Sequence, residues 1–381
     1  MDLEFSDEQR GWHDAAVDFA RHHLCNDVIA ADRDEAFDRA AWKAAAEFGV
    51  LAMPVPKAMG GLGLPITDVI AVMEGLGYGA KDQGLLFSIN AHLWTNTMPL
   101  VQWGTPDQRE RWLPGLLDGS KVGANGASEP DSGSDVFAMR TRARRDGDHY
   151  VLDGTKMFVT NAPVADVIVA YATIDPKLGA MGVTGFIVDA HAKGVTISKR
   201  IEKLGLRTSP MAEVVFDGVR VPVIDRLGRE GRGVGVFESS MEWERGCILA
   251  NCLGVMRRQL ERCLDHARQR RQFGQSIGKF QSVANKLVDM RLRLDTCRPL
   301  VYRIGRLKEA GRDCTVEAAL AKLHVSDCYV KNGLDAIQVF GGYGYMKEYE
   351  LERDLRDAVG STLYSGTSEI QRNLVARGLG L

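Results

Sequence analysis

The sequence predicts an α+β protein: an N-terminal helical domain over 1–121, a β-rich, barrel-like middle domain over 122–228 and a C-terminal four-helix bundle over 229–381. Three observations carry this. Up to about residue 120, helix-like stretches alternate with glycine and proline turns. From Val122 the chain shifts to short runs of β-branched and aromatic residues. Beyond Gly235 apolar residues recur every three or four positions, as in Phe280, Val283, Leu287, Met290, Leu294 and Cys297, the seam of a packed bundle.

Ser6, followed by Asp7 and Glu8, marks the first helix start, because a serine oxygen caps free N–H groups and acids favour the positive end of a helix. Gly60-Gly61-Leu62-Gly63-Leu64-Pro65 is a loop. Gly75-Leu76-Gly77-Tyr78-Gly79-Ala80 fits a loose dinucleotide-binding pattern, but no strand precedes it and no acidic ribose partner follows. It reads as a helix end. In the middle domain, residues 150–160 and 214–222 each hold an Asp-Gly pair between β-favouring residues, Asp153-Gly154 and Asp217-Gly218, and each reads as a hairpin. The runs 167–171 and 185–188 are continuously apolar, as buried strands are. Residues 237–248 read as helix, with Phe237, Met241, Ile248, Cys252 and Val255 on one face.

Composition narrows the function. The 381-residue chain is 45% apolar and 26% charged with a formal net charge of -2, which disfavours a general nucleic-acid binder. Arg142, Arg144 and Arg145 sit among acidic residues and read as solvated surface. No run of about 18 apolar residues is present, so no membrane span is expected. The acidic start is neither a secretory signal nor an Arg-rich transit peptide, and a cytoplasmic protein is expected. Seven cysteines (Cys25, Cys247, Cys252, Cys263, Cys297, Cys314 and Cys328) form no Cys-x-x-Cys and read as buried thiols. The eight histidines show no metal spacing, so no metal is expected; there is also no Gly-x-Ser-x-Gly elbow.

Glu244 lies on the apolar stripe of its helix and is the only charged residue there. Burying a carboxylate costs several kcal/mol unless it is paired or protonated, and the same desolvation raises its pKa into the range of a general base. A neutralising pair with Arg245 is the structural alternative, but adjacent helix positions point in different directions.

Several segments resemble those of the acyl-CoA dehydrogenases along nearly the whole chain. Ser128-Glu129-Pro130-Asp131-Ser132-Gly133-Ser134-Asp135 is similar to the family's segment beside the flavin, and Lys156-Met157-Phe158-Val159-Thr160-Asn161 to a second. The resemblance implies that Ser128 faces the pyrimidine edge, Ser134 the phosphate region, Phe158 the ring and Thr160 its N5, with Gly133 a further cofactor contact. Arg270-Arg271-Gln272-Phe273-Gly274 and Gln338-Val339-Phe340-Gly341-Gly342 resemble the two segments that reach a neighbouring subunit's FAD. They imply contacts from Arg270, Gln272, Phe273, Gln338, Gly341 and Gly342 and an active homotetramer built as a dimer of dimers. A guanidinium suits a pyrophosphate.

Leu363-Tyr364-Ser365-Gly366-Thr367-Ser368-Glu369-Ile370-Gln371-Arg372 resembles the family's closing signature, with Thr367 and Glu369 as further cofactor contacts. Many members carry a catalytic glutamate where Ser365 stands. A branch that includes isovaleryl-CoA, long-chain acyl-CoA and carrier-protein-bound prolyl dehydrogenases instead places the base on the inner helix just before an arginine, as Glu244 precedes Arg245. The resemblance therefore implies FAD-dependent α,β-dehydrogenation of an acyl thioester. Glu244 removes the α-proton, Arg245 fixes the helix around it, and the Ser365 N–H with a ribityl hydroxyl holds the thioester carbonyl. CoA and a phosphopantetheinyl carrier protein present the same thioester arm, so both remain open, as does the electron acceptor. A thioester-binding protein without dehydrogenation and a flavin oxidase or oxygenase are the alternatives on the same scaffold.

Overall fold

In the computed structural model, which describes residues 5–24 and 27–381, the chain runs as helices, then sheet, then helices. The first layer holds α1 (Asp7–His23), α2 (Val28–Asp34), α3 (Arg39–Glu47), α4 (Ile66–Gly79), α5 (Gln83–His92), α6 (Met98–Trp103) and α7 (Pro106–Leu117). Ser6 caps α1 as expected: its side chain accepts from the Gln9 N–H, and the Gln9 side chain accepts from the Ser6 N–H. Residues 1–4 of the acidic start, and Cys25, lie outside the described residues. The glycines of the loose dinucleotide pattern do belong to the end of α4. A Cβ on Gly77 would come within 1.9 Å of the Asn251 carbonyl, so close helix packing, not phosphate binding, demands glycine there.

The sheet contains β1 (Gly123–Gly126), β2 (Arg142–Asp146), β3 (His149–Thr160), β4 (Val167–Thr173), β5 (Val183–Asp189), β6 (Val195–Ile197), β7 (Met211–Pro222) and β8 (Arg226–Leu227). Its order is β6-β7-β3-β2-β4-β5-β8, with β1 parallel on β4. Both Asp-Gly hairpin expectations are wrong. β3 and β7 run straight through them and pair with each other, with Leu152 opposite Val219 and then Gly154 opposite Phe216. Asp217 and Gly218 together oppose the single Asp153 in a bulge, with Gly218 at φ +62 and its N–H donated to Asp153 Oδ1 at 2.8 Å. The tight hairpin instead joins β2 to β3 through Gly147-Asp148, with Gly147 at φ +61.

β4 shows why its run is continuously apolar. Val167, Val169 and Tyr171 pack against the helices, whereas Ile168, Ala170 and Ala172 fill the sheet's own core. A strand buried on both faces has no polar side. A π-helical turn at Leu93–Thr97 then stitches the first layer to the sheet. Asn96 Nδ2 donates to the Ala124 and Val167 carbonyls, and Asn125 Nδ2 to the Thr95 carbonyl. His92 completes the joint: its Nδ1 accepts from the Gly123 N–H, and burial pushes its pKa down to about 4. It is a neutral structural histidine.

The third layer holds α8 (Gly233–Cys247), α9 (Ala250–Gln269), a short hairpin of β9 (Arg271–Gln272) and β10 (Gln275–Ser276), α10 (Gln281–Glu309), α11 (Thr315–Phe340), α12 (Leu351–Gly360) and α13 (Ser368–Gly378). On α10 the expected seam is buried at Leu287, Met290, Leu294 and Cys297. Among the described residues no helix is long and apolar enough to cross a membrane.

Candidate active site

α8 lies on the sheet through Phe237, whose ring meets Tyr171 edge-on at 5.5 Å. The expected stripe does not continue as one helix: α8 ends at Cys247, so Cys252 and Val255 come from α9. Glu244 sits in the last turn of α8 and is only 7% exposed. Burial pushes its carboxyl up to about 7, against the opposing pull of the Ser365 side chain, Arg245 and Lys322. That leaves a base that is half ionised near neutral pH, which suits proton abstraction. Tyr171 is buried within reach of the Glu244 charge. Burial raises its phenol, opposed by Ser240 and Asn125.

The turn between α12 and α13 faces this carboxyl. Ser365 has φ +57 and Gly366 φ +90, and a left-handed serine costs of order 1–3 kcal/mol unless its surroundings hold it. They do. The Ser365 carbonyl accepts from Arg245 Nε and from Gln371 Nε2, each at 3.1 Å. The Gly366 carbonyl accepts from Gln371 Nε2 and from Lys322 Nζ, each at 2.8 Å. With both carbonyls held by these cationic and amide donors, the Ser365 N–H has no acceptor among the described residues. The Ser365 side chain lies close enough to pull on the Glu244 carboxyl, but its buried hydroxyl closes no hydrogen bond of ordinary geometry. Arg245, which follows Glu244 on α8, reaches across to the turn through its Nε.

Lys322 is fully buried on α11, and burial brings its pKa down to about 8 while Glu244 pulls it up. Its positive charge favours an ionised Glu244. Lys322→Met should therefore move the activity limb belonging to Glu244 to higher pH, by roughly half a unit to one unit, with Lys322→Arg closer to wild type. Anaerobic flavin-reduction rates across pH check this; an unmoved limb in Lys322→Met would refute the coupling.

The two flavin-like segments meet as neighbours. The Met157 N–H donates to the Ser128 carbonyl at 2.9 Å. Behind them Lys156 Nζ meets Glu129 Oε1 at 2.7 Å, with Lys156 fully buried and Glu129 nearly so. The Glu129 carboxylate also accepts from the Arg140 and Thr141 N–H groups. Ser128 and Thr160 are half-buried, and Gly133 and Ser134 are exposed. Phe158 is 61% exposed at φ +58. An exposed aromatic residue in strained backbone is not explained by the packing of this chain. Nor is Gly133, since a Cβ there would meet nothing within 4 Å.

The remaining segments form a second exposed group. Phe273-Gly274 is the two-residue loop of the β9–β10 hairpin, with φ +49 and +78, and Phe273 is 93% exposed. Arg270 and Gln272 flank it, also exposed. Gln338, Gly341 and Gly342 are exposed at the end of α11, which the His266–Phe340 stack at 4.1 Å brings beside the end of α9. A Cβ on Gly341 or Gly342 would likewise meet nothing. No hydrogen bond or ion pair among the described residues joins this group to Ser128, Ser134, Phe158 or Thr160. Thr367 caps α13, accepting from the Ile370 N–H, and Glu369 is exposed on its first turn. Of the seven non-glycine residues at positive φ among the described residues, Phe158, Asn161, Phe273 and Ser365 fall in these segments, and Phe158 and Phe273 stand where the packing leaves surface for a large ligand. Hydroxyl and N–H donors, an exposed ring and open glycines fit a flavin dinucleotide.

Sequence reasoning missed Lys322, Gln371, Glu129 and Lys156. Gln371, Glu129 and Lys156 stood inside the quoted segments, but nothing in the sequence showed that they are buried. Lys322 offered only a lone lysine in Ala-Ala-Leu-Ala-Lys-Leu.

Three family models match the chain in succession: Acyl-CoA dehydrogenase, N-terminal domain, over residues 6–120; middle domain, over 124–219; and C-terminal domain, over 231–380. The L-prolyl-(peptidyl-carrier protein) dehydrogenase of Pseudomonas fluorescens is 40% identical over 385 residues, covering 100% of both chains. The crystal structure of the prolyl acyl carrier protein oxidase AnaB matches with TM-score 0.98 at 44% identity, over 99% of this chain and 100% of that one. The structure of PigA with FAD and proline matches with TM-score 0.98 at 38% identity, over 100% of both. The chain belongs to the acyl-CoA dehydrogenase family of FAD-dependent oxidoreductases, which act on acyl thioesters.

Proposed function

We propose that this protein desaturates the Cα–Cβ bond of an L-prolyl group held as a thioester on a carrier protein, with Glu244 as the base. The observation that carries the chemistry is the buried Glu244 carboxyl facing a strained turn whose Ser365 N–H is unpaired. The thioester carbonyl accepts from that N–H, which stabilises the negative charge growing on its oxygen and acidifies the α-proton. Glu244 takes this proton. FAD, when bound, supplies the acceptor for the hydrogen that leaves Cβ with its electron pair, and a Cα=Cβ bond forms. Arg245, Gln371 and Lys322 are positioning residues that hold the turn. Because Ser365 contributes backbone, the missing carboxylate at its position costs nothing.

The choice of prolyl and of a carrier protein rests on the full-length similarity to proteins named for that substrate. The exposed Arg270, Gln272, Phe273, Gln338, Gly341 and Gly342 group, untied to its own chain's flavin segments, supports FAD sites completed by a neighbouring subunit. Ser128, Gly133, Ser134, Phe158, Thr160, Thr367 and Glu369 hold the same cofactor, in a cytoplasmic homotetramer.

The test is anaerobic bleaching of the flavin by L-prolyl thioesters of a carrier protein and of CoA, by isovaleryl-CoA and by free proline. The expected order puts the prolyl carrier-protein thioester first by at least tenfold, in a preparation that sizes as a tetramer. Faster bleaching by either CoA thioester would overturn the substrate assignment, and a flavin-replete monomer the shared site. Repeating the reaction in air separates a dehydrogenase from an oxidase by whether oxygen restores the colour.

A further inference from the structure

In the seam between α10 and α11, two thiols and an imidazole converge. Cys297 and Cys328 are buried, and a ligand atom from each of Cys297, His324 and Cys328 lies within 4.8 Å of the others. His324 and Cys328 stand one turn apart on α11, so they share a face, and Cys297 comes from α10. Linear spacing could not reveal the set, because its third member lies on another helix.

The geometry is that of a ligand cluster. Around a tetrahedral Zn2+, with bonds of about 2.3 Å to sulfur and 2.0–2.1 Å to nitrogen, a sulfur and a nitrogen sit roughly 3.6 Å apart. Cys328 Sγ is 3.6 Å from His324 Nε2 and 4.0 Å from Nδ1. Thr296 Oγ1, next to Cys297, lies 3.2 Å from His324 Nε2. The 3.6 Å separation makes Nε2 the ligand nitrogen, with the Thr296 hydroxyl beside it. Ordinary core packing would account for Cys297, but not for an imidazole held over the same pair.

We propose that Cys297, His324 and Cys328 form a binding site for one Zn2+ per chain, with water as the fourth ligand. Binding releases the thiol protons to solvent and leaves two thiolates on the ion. Two thiolates and an imidazole are a set that selects Zn2+ over hard cations. The ion would tie α10 to α11, the helix that carries Lys322 to the catalytic turn. It is not required for the dehydrogenation chemistry.

The test uses the FAD-loaded protein, stripped with a chelator and kept in a phosphine reductant, titrated with Zn2+ in competition with a chromophoric chelator. One equivalent per chain, with Kd below about 1 µM, is expected, together with a Tm that rises by a few degrees. Co2+ in place of Zn2+ should give the intense visible bands of a tetrahedral thiolate site. Cys328→Ser and His324→Ala should each lose the tight equivalent and the Co2+ bands, and Cys263→Ser should keep both. His324 is at the protein surface, so its variant tests the site even if a cysteine variant misfolds. Absence of a tight equivalent in wild type, or tight binding unchanged in His324→Ala, overturns the proposal.

Discussion

Glu244→Gln should give a folded, yellow protein that binds substrate but reduces its flavin at least roughly 10²-fold more slowly, the loss expected when a general base is removed. Glutamine keeps the size and hydrogen bonding of the side chain, so the turn at Ser365, held by Arg245, Gln371 and Lys322, should stay in place. The same substitution should stabilise the protein at alkaline pH. The Glu244 carboxyl titrates at about 7 in the fold against an ordinary value of 4.5. Between those values the folded state binds more protons than the unfolded one, so this group's contribution falls as pH rises through the interval. The cost at full ionisation is on the order of 3 kcal/mol at 1.36 kcal/mol per unit. Glutamine does not ionise, so its advantage over wild type should be small at pH 5 and approach that figure at pH 8. Urea melts at the two pH values check the sign. A variant that loses activity while gaining stability has lost a functional group, not its fold.

Lys156→Met should be the most damaging single change outside the catalytic turn. It leaves the Glu129 carboxylate buried without its cation, and breaking a buried pair costs about 3–5 kcal/mol. Glu129 would keep only the Arg140 and Thr141 N–H donors. Because the pair lies behind both flavin segments, FAD content should fall with stability. Glu129→Gln together with Lys156→Met removes both charges and should recover most of the loss, since no ion remains uncompensated. Denaturant melts and flavin-to-protein ratios of the two single variants and the double variant test this. A Lys156→Met protein within 1 kcal/mol of wild type, with full flavin, would show that the pair holds nothing together.

What was legible in the sequence follows from how local each signal is. The order of layers, the buried β4 and β5 and the capped start of α1 all come from short-range patterns, and the structure has them. Glu244 was legible because a charged residue on an apolar stripe stands out whatever the fold. The Asp-Gly pairs misled because a glycine at positive φ serves a bulge as well as a hairpin, and only the partner strand decides between them. The break between α8 and α9 was invisible because apolar periodicity carries across Ile248 and Leu249. Lys322 and Gly366 are separated by 44 residues, and Cys297 and His324 stand on different helices, so no window of sequence holds either partnership.

The most direct test of the account is single-turnover flavin bleaching, without oxygen, by the prolyl carrier-protein thioester between pH 5.5 and 9, in wild type and in Glu244→Gln. The wild-type rate should rise with pH along one ionisation centred near 7, where the buried Glu244 titrates, and level off above it. The Glu244→Gln rate should be at least roughly 10²-fold lower on the plateau and lack that limb. Bleaching by Glu244→Gln within a few-fold of wild type, on the same pH curve, would place the base elsewhere and contradict the assignment.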